Sequence, residues 1–168
     1  MPKVQNLSKP VVWSGAIADA AGAAARRKEP LWVPSSYFVD DRGCSLMNLL
    51  AGAMSPEGQC NYSLQHPGGI RAWHCHAHQT YFWMCLMGHI KVGLFDAESG
   101  RAWMQVIGEK SPGIMVIPPP LWHGAATVGG EGAGLFYYVT RAYDAKNPDE
   151  ERLAYDAVDG FPWSVRHG

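Results

Sequence analysis

What limits this chain most is its punctuation. From Trp32 to Thr140 the apolar residues come in short runs, and nearly every run closes on Gly, Pro, Asp or Ser. Ser36-Tyr37-Phe38-Val39 runs into Asp40-Asp41-Arg42-Gly43. Gln59 to Leu64 lies between Ser55-Pro56-Glu57-Gly58 and His66-Pro67-Gly68-Gly69, and Ile114 to Ile117 stops at Pro118-Pro119-Pro120. Runs this short, bounded by turn residues, read as strands rather than helices. Nineteen Gly and twelve Pro are too many for a helical bundle. About nine or ten short strands at regular turn spacing predict an all-β barrel or sandwich. Tyr81 to Met87 is apolar throughout, as a strand buried on both faces is. Gly88 separates it from His89 to Phe95, its expected hairpin partner.

One good helix stands apart from this pattern. Residues Ala16 to Lys28 are rich in alanine, the best helix former, with Ser14 placed as a cap and Arg26, Arg27 and Lys28 at the negative end of the dipole. Near the other end, Asn147-Pro148-Asp149-Glu150 predicts a short helical turn with proline at its first position. Asp149-Glu150-Glu151-Arg152 reads there as a solvated face. No repeat or composition break marks a second domain. The expected organisation is an N-terminal arm and short helix over 1–30 and a β-barrel over 31–168, with small C-terminal helical turns.

Charge and composition narrow the function. A net charge of -1 without a basic block gives no footprint for nucleic acid. No apolar run approaches the roughly 20 residues of a membrane helix. Val11 to Ala25 has the outline of a signal peptide, but Asp19 interrupts it and its apolar content is mostly alanine. Cys44, Cys60, Cys75 and Cys85 show no C-x-x-C spacing and read as free thiols. The expectation is a cytoplasmic protein.

The chemistry concentrates in two blocks. In Arg71-Ala72-Trp73-His74-Cys75-His76-Ala77-His78-Gln79, three histidines alternate behind an arginine, so on a strand they share one face. The second block, Gly113 to Gly124, ends a strand in a proline-rich turn that delivers His123. Two readings follow. His74, His76 and His123 form a metal site for Zn or Fe, or a histidine moves protons beside an arginine that clamps an anion. His78 reads as a loop residue, and His66, His89 and His167 as surface histidines.

Together the blocks resemble the two signature motifs of the cupins, a family of jelly-roll barrels. The glutamate that completes the cupin metal set should follow His76 by four or five residues, but Thr80 and Tyr81 stand there. A closer resemblance covers about residues 37 to 163. Phe38-Val39-Asp40-Asp41-Arg42-Gly43, the series Gln59, Asn61, Ser63, Gly68, Arg71 and His74, and Pro119-Pro120-Leu121-Trp122-His123-Gly124 resemble motifs of the nucleotide-linked 4-keto-6-deoxysugar 3,5-epimerases, the dTDP-4-dehydrorhamnose 3,5-epimerase type. Tyr137 with Thr140 and Tyr143, and Asp156 with Trp163, are similar to that family's tyrosine strand and ending.

The resemblance implies a homodimeric enzyme that needs no cofactor and acts on a nucleotide sugar. His74 would abstract the proton α to the ketone, Asp156 would orient and stabilise it, and Tyr137 would return a proton from the opposite face. His123 belongs to the same site. Arg42 and Arg71 would clamp the diphosphate, and Gln59 and Asn61 would bind the nucleotide. The family's enolate-steadying lysine falls at Tyr81, and residues near the base fall at Ser45 and Met47. The glutamine after the catalytic histidine is His76, which makes the block similar to the R-G-x-H-A-H of sugar 3,4-ketoisomerases. A metal-dependent cupin dioxygenase or lyase, and a sugar-binding cupin without catalysis, are the other two readings.

Overall fold

The computed structural model describes residues 1–165; His167 lies outside them. In chain order the elements are β1 (Asn6–Ser8), β2 (Val11–Val12), α1 (Ile17–Arg27), β3 (Leu31–Pro34), the hairpin β4 (Phe38–Asp40) and β5 (Gly43–Ser45), β6 (Gln59–Gln65) and β7 (Ile70–Cys75). They continue with β8 (Tyr81–Met87), β9 (His89–Phe95), β10 (Arg101–Gly108), β11 (Gly113–Ile117), β12 (Trp122–Val128), β13 (Ala133–Val139) and β14 (Glu151–Arg152). Two six-stranded sheets face each other, in the orders β1-β10-β9-β12-β7-β14 and β2-β3-β11-β8-β13-β6. The all-β class expected from the turn spacing, and the jelly roll that the cupin resemblance implies, are what the chain forms.

The strand period explains how one run serves two cores. On β8 the odd residues Trp83 and Cys85 enter the core between the sheets, with Ile90, Val92 and Leu94 of the opposite sheet. The even residues Phe82 and Met84 point outward, where the small faces of Ala20, Ala23 and Ala24 on α1 let the helix sit close. The helix starts at Ala16 without a side-chain cap, so Ser14 does not serve as one. On the other sheet Trp73 and Phe95 point outward and are covered by Val158 and Phe161 of the C-terminal segment. Both sheets are thus covered on both sides, which is why their central strands carry unbroken apolar runs.

Two expectations of local structure change. β8 and β9 are not a hairpin: β8 pairs with β11 and β13, whereas β9 pairs with β10 and β12. Gly88 is the crossing between the sheets. Its φ of +64° suits glycine, and a Cβ there would stand 2.5 Å from the Gly132 carbonyl oxygen. The second change is near Asn147. Instead of a helical turn, the chain reaches the edge of the first sheet, where Glu151 and Arg152 of β14 pair with Cys75 and His74. This strap carries acidic side chains to the barrel mouth.

Candidate active site

A bulge aims the histidine strand. On a regular strand Arg71 and His74 would face opposite sides. Opposite them on β12, however, His123 pairs with His74 and Ala125 with Arg71, so β7 holds one residue more than its partner between those pairs. The extra residue turns both Arg71 and His74 to the inside. They line a cavity of about 250 Å³ with His76, His123, Tyr81 and Tyr137. β7 ends at Cys75, so His76 enters from the loop.

A carboxylate supplied by the strap fixes the ring of His74. Glu150 Oε1 lies 2.6 Å from His74 Nδ1, and Arg152 Nη2 donates to Glu150 Oε2 at 2.7 Å. Burial works against the Glu150 carboxylate, but the hydrogen bonds from Arg152 and His74 outweigh it and hold its pKa below the usual range. An ionised Glu150 can only accept, so Nδ1 of His74 carries the hydrogen and Nε2 keeps its lone pair. The arrangement is a carboxylate–histidine pair with the basic nitrogen free on a cavity-lining ring.

Two neighbouring histidines are held neutral. His123 is 3% exposed, its Nδ1 donates to the Leu121 carbonyl at 3.0 Å, and burial pushes its pKa down to about 3. Burial also lowers the pKa of His76. His76 Nδ1 meets the Asp149 carbonyl oxygen, which can only accept, so Nδ1 donates. Its Nε2 must then accept the Tyr81 hydroxyl 2.9 Å away, while the Tyr81 oxygen accepts from Gln79 Nε2 at 2.9 Å. The chain Gln79→Tyr81→His76→Asp149 therefore runs in one direction. Burial raises the Tyr81 pKa, so the phenol stays neutral.

The three-histidine metal set does not fit this arrangement. Both ring nitrogens of His76 are committed to hydrogen bonds. Among the described residues, no three His, Cys, Asp or Glu side chains are gathered to hold an ion. Cys75 is turned away, its thiol on the Pro120 carbonyl and pushed up to about 11 by burial.

A second, wider cavity of about 590 Å³ adjoins the first and shares His76, Tyr81, Tyr137, Glu150 and Arg152 with it. Gln59 and Asn61 line this outer space, joined by a 2.7 Å hydrogen bond, with Arg141 and with Tyr143, whose backbone N–H donates to Gln59 Oε1 at 3.2 Å. Inward-facing residues of β6 therefore run from outside to inside as Gln59, Asn61, Ser63 and Gln65. That polar line occupies positions a closed barrel would fill with apolar side chains. Of the two adjacent tyrosines, Tyr137 lines both cavities, and Tyr138 is 1% exposed in the core beside the helix, its hydroxyl accepting from Ser55 N–H.

Two sequence expectations are corrected. Asp156 does not reach His74. Its segment packs on the outer side of β7, where the Tyr155 carbonyl accepts the indole N–H of both Trp73 and Trp163, and the Asp156 side chain is exposed. His74, one residue after Trp73, faces the opposite way, so Glu150 from the strap meets it instead. Arg42 lies in neither cavity. It is exposed on the β4–β5 hairpin and pairs with Asp40 at 2.6 Å. Glu150 and Arg152 were missed because a run of acidic residues beside an arginine has the same composition as a solvated turn. His78 is an exposed loop residue, and its backbone N–H and that of Ala77 donate to the Asp149 carboxylate at 2.9 Å.

The fold is the cupin jelly roll, with histidines and a tyrosine lining its mouth. The chain is 31% identical over 134 residues to the spore coat polysaccharide biosynthesis protein SpsL of Bacillus subtilis, a match covering 75% of this chain and 89% of that one. It is 40% identical over 101 residues to the probable low-salt glycan biosynthesis epimerase Agl13 of Haloferax volcanii, covering 56% of this chain and 65% of that relative. Among solved structures, a dTDP sugar isomerase from Desulfovibrio desulfuricans G20 superposes with a TM-score of 0.68 at 24% identity, over 76% of this chain and 85% of that one. The dTDP-4-dehydrorhamnose 3,5-epimerase of Sulfolobus tokodaii gives 0.64 at 20% identity, over 80% and 82%. No protein-family model matches the chain. The chain belongs to the family of the spore coat polysaccharide biosynthesis protein SpsL, and it shares the cupin fold of the dTDP-4-dehydrorhamnose 3,5-epimerases.

Proposed function

We propose that this protein is a sugar epimerase or keto-isomerase that acts on a nucleotide-linked 4-keto-6-deoxysugar. The observation that carries the reading is the His74–Glu150 pair at 2.6 Å on the wall of a cavity lined by Tyr137. A ketone acidifies the protons on its α carbon, and histidine is the commonest general base for removing one when the developing enolate is stabilised. His74 Nε2 takes that proton, and the C–H electron pair becomes the C=C bond of an enolate. Glu150 stabilises the imidazolium through Nδ1 and holds the ring in place. Return of a proton from Tyr137 on the opposite face inverts the carbon; if the hydroxyl hydrogen of that carbon passes to the enolate oxygen and the proton returns to the former carbonyl carbon, the ketone moves. His123, neutral and buried, packs beside the reacting ring, 6.3 Å from His74 between centroids.

The sugar occupies the inner cavity and the nucleotide the outer one. Arg71 and Arg152, with Arg141, supply guanidinium groups for the diphosphate, the fork geometry best suited to phosphate oxygens. Gln59 and Asn61 hydrogen-bond the nucleoside. A homodimer is part of this reading, supported by the β4–β5 hairpin, which lies outside both sheets and exposes Phe38 and Val39 at 61% and 69%. Four free thiols suit the cytoplasm. The test of the reading is deuterium uptake from D₂O into nucleotide-linked 4-keto-6-deoxysugars. Wild type incorporates deuterium α to the ketone and His74→Ala, still folded, does not; wild-type rates in that variant refute His74 as the base.

A further inference from the structure

Removing a proton next to a ketone leaves negative charge on the ketone oxygen, and a site that does this needs a donor aimed at that oxygen. Tyr81 stands where the epimerase resemblance puts a lysine, but its single hydroxyl hydrogen is committed to His76 Nε2. Two residues further along β8, on the same face, stands Trp83. It lines the inner cavity and is 7% exposed, and its indole N–H is buried without a hydrogen-bond partner. A buried indole N–H nearly always finds a partner, and leaving one unmet costs stability. Gln65, 4% exposed and also lining this cavity, has its Oε1 buried without a partner. Two residues that line the inner cavity thus carry an unused donor and an unused acceptor.

We propose that Trp83 Nε1–H donates to the ketone oxygen of the substrate and is the group that steadies the enolate. The inference rests on the keto-sugar reading. As His74 Nε2 takes the α-proton, the C–H pair forms the C=C bond and the carbonyl π pair moves to oxygen. The hydrogen bond from Trp83 strengthens as that charge grows, and the indole keeps its hydrogen throughout. Neighbouring rings hold the indole in place. It meets His123 edge-on with centroids 5.3 Å apart, and Tyr81 at 6.1 Å. An indole can only donate, so Trp83 requires an accepting oxygen at this point, and the enolate oxygen accepts most strongly.

Trp83→Phe keeps the aromatic packing and removes the donor. Loss of one such donor costs roughly 10²–10³ in rate. The expected result is a fall of about 100-fold in α-deuterium exchange, with KM changed less than about 3-fold, because the bond strengthens as charge develops. In ¹⁵N-labelled protein, the indole resonance absent from Trp83→Phe should move downfield when a nucleotide-linked 4-keto sugar binds. Wild-type exchange in Trp83→Phe, or an indole resonance that stays put, overturns the assignment even if wild type is active. A wild type inert towards every keto sugar overturns the keto-sugar reading, and this assignment with it.

Discussion

Replacing Glu150 with glutamine is the sharpest perturbation, because Arg152 dictates how the new amide must turn. Arg152 Nη2 donates to Oε2 at 2.7 Å and cannot accept, so the amide oxygen of Glu150→Gln stays on that side. The NH₂ group then faces His74 Nδ1, where the carboxylate oxygen now stands at 2.6 Å. Nδ1 has to accept, and the ring hydrogen moves to Nε2, the atom that must be free to take the substrate's proton. The variant also loses the charge that stabilises the imidazolium. A hydrogen bond to a charged group is worth about 1.5–3 kcal/mol, or roughly 10- to 150-fold in rate. The wrong tautomer pushes the loss towards the upper part of the roughly 10²–10⁴-fold range that base catalysis supplies. The assay is α-deuterium exchange at saturating substrate, with Asp156→Asn and Glu151→Gln as exposed controls. A fall of about 100-fold or more in Glu150→Gln alone is expected. Activity within about 2-fold of wild type in Glu150→Gln, with a collapse in Asp156→Asn, refutes the pairing of Glu150 with the base.

The other predictions concern Tyr137, acid stability and the sheet crossing. Tyr137→Phe should cut formation of the inverted product about 100-fold while exchange at the His74 face falls less; equal losses in both contradict the two-face division. His123 has a folded pKa of about 3 against an ordinary 6.5, so between those values the unfolded chain binds more protons and stability rises with pH. Going from pH 7 to pH 5 should therefore remove about 2 kcal/mol, with His76 acting in the same direction. Urea midpoints flat over that range contradict it. Gly88→Ala should cost about 1–3 kcal/mol, because the φ of +64° and the Gly132 carbonyl both exclude a Cβ; an unchanged denaturation midpoint contradicts the account of the crossing.

The barrel was legible in the sequence because strand length and turn chemistry are local properties. Tyr81 to Met87 announces burial on both faces by having no charged residue. Its expected pairing with β9 failed because a glycine at φ +64° serves a tight hairpin and a change of sheet equally well, and only tertiary packing separates them. His74, His123 and Tyr137 drew notice through motif order, and all three line the inner cavity. Glu150 did not, because the strap that carries it is fixed by contacts 76 residues away in sequence. Trp83 was hidden for a similar reason. A tryptophan in an apolar run reads as packing, and only the missing partner of its N–H sets it apart.

Everything proposed for the site depends on this barrel moving a proton beside a sugar ketone. The decisive measurement is to incubate the wild-type protein in D₂O with nucleotide-linked 4-keto-6-deoxyhexoses and follow the sugar protons by NMR. An α-proton signal should disappear and an epimer or isomer should form, and both changes should be abolished in His74→Ala. Undiminished α-proton signals across thymidine, uridine, guanosine and cytidine diphosphate sugars would rule proton transfer out.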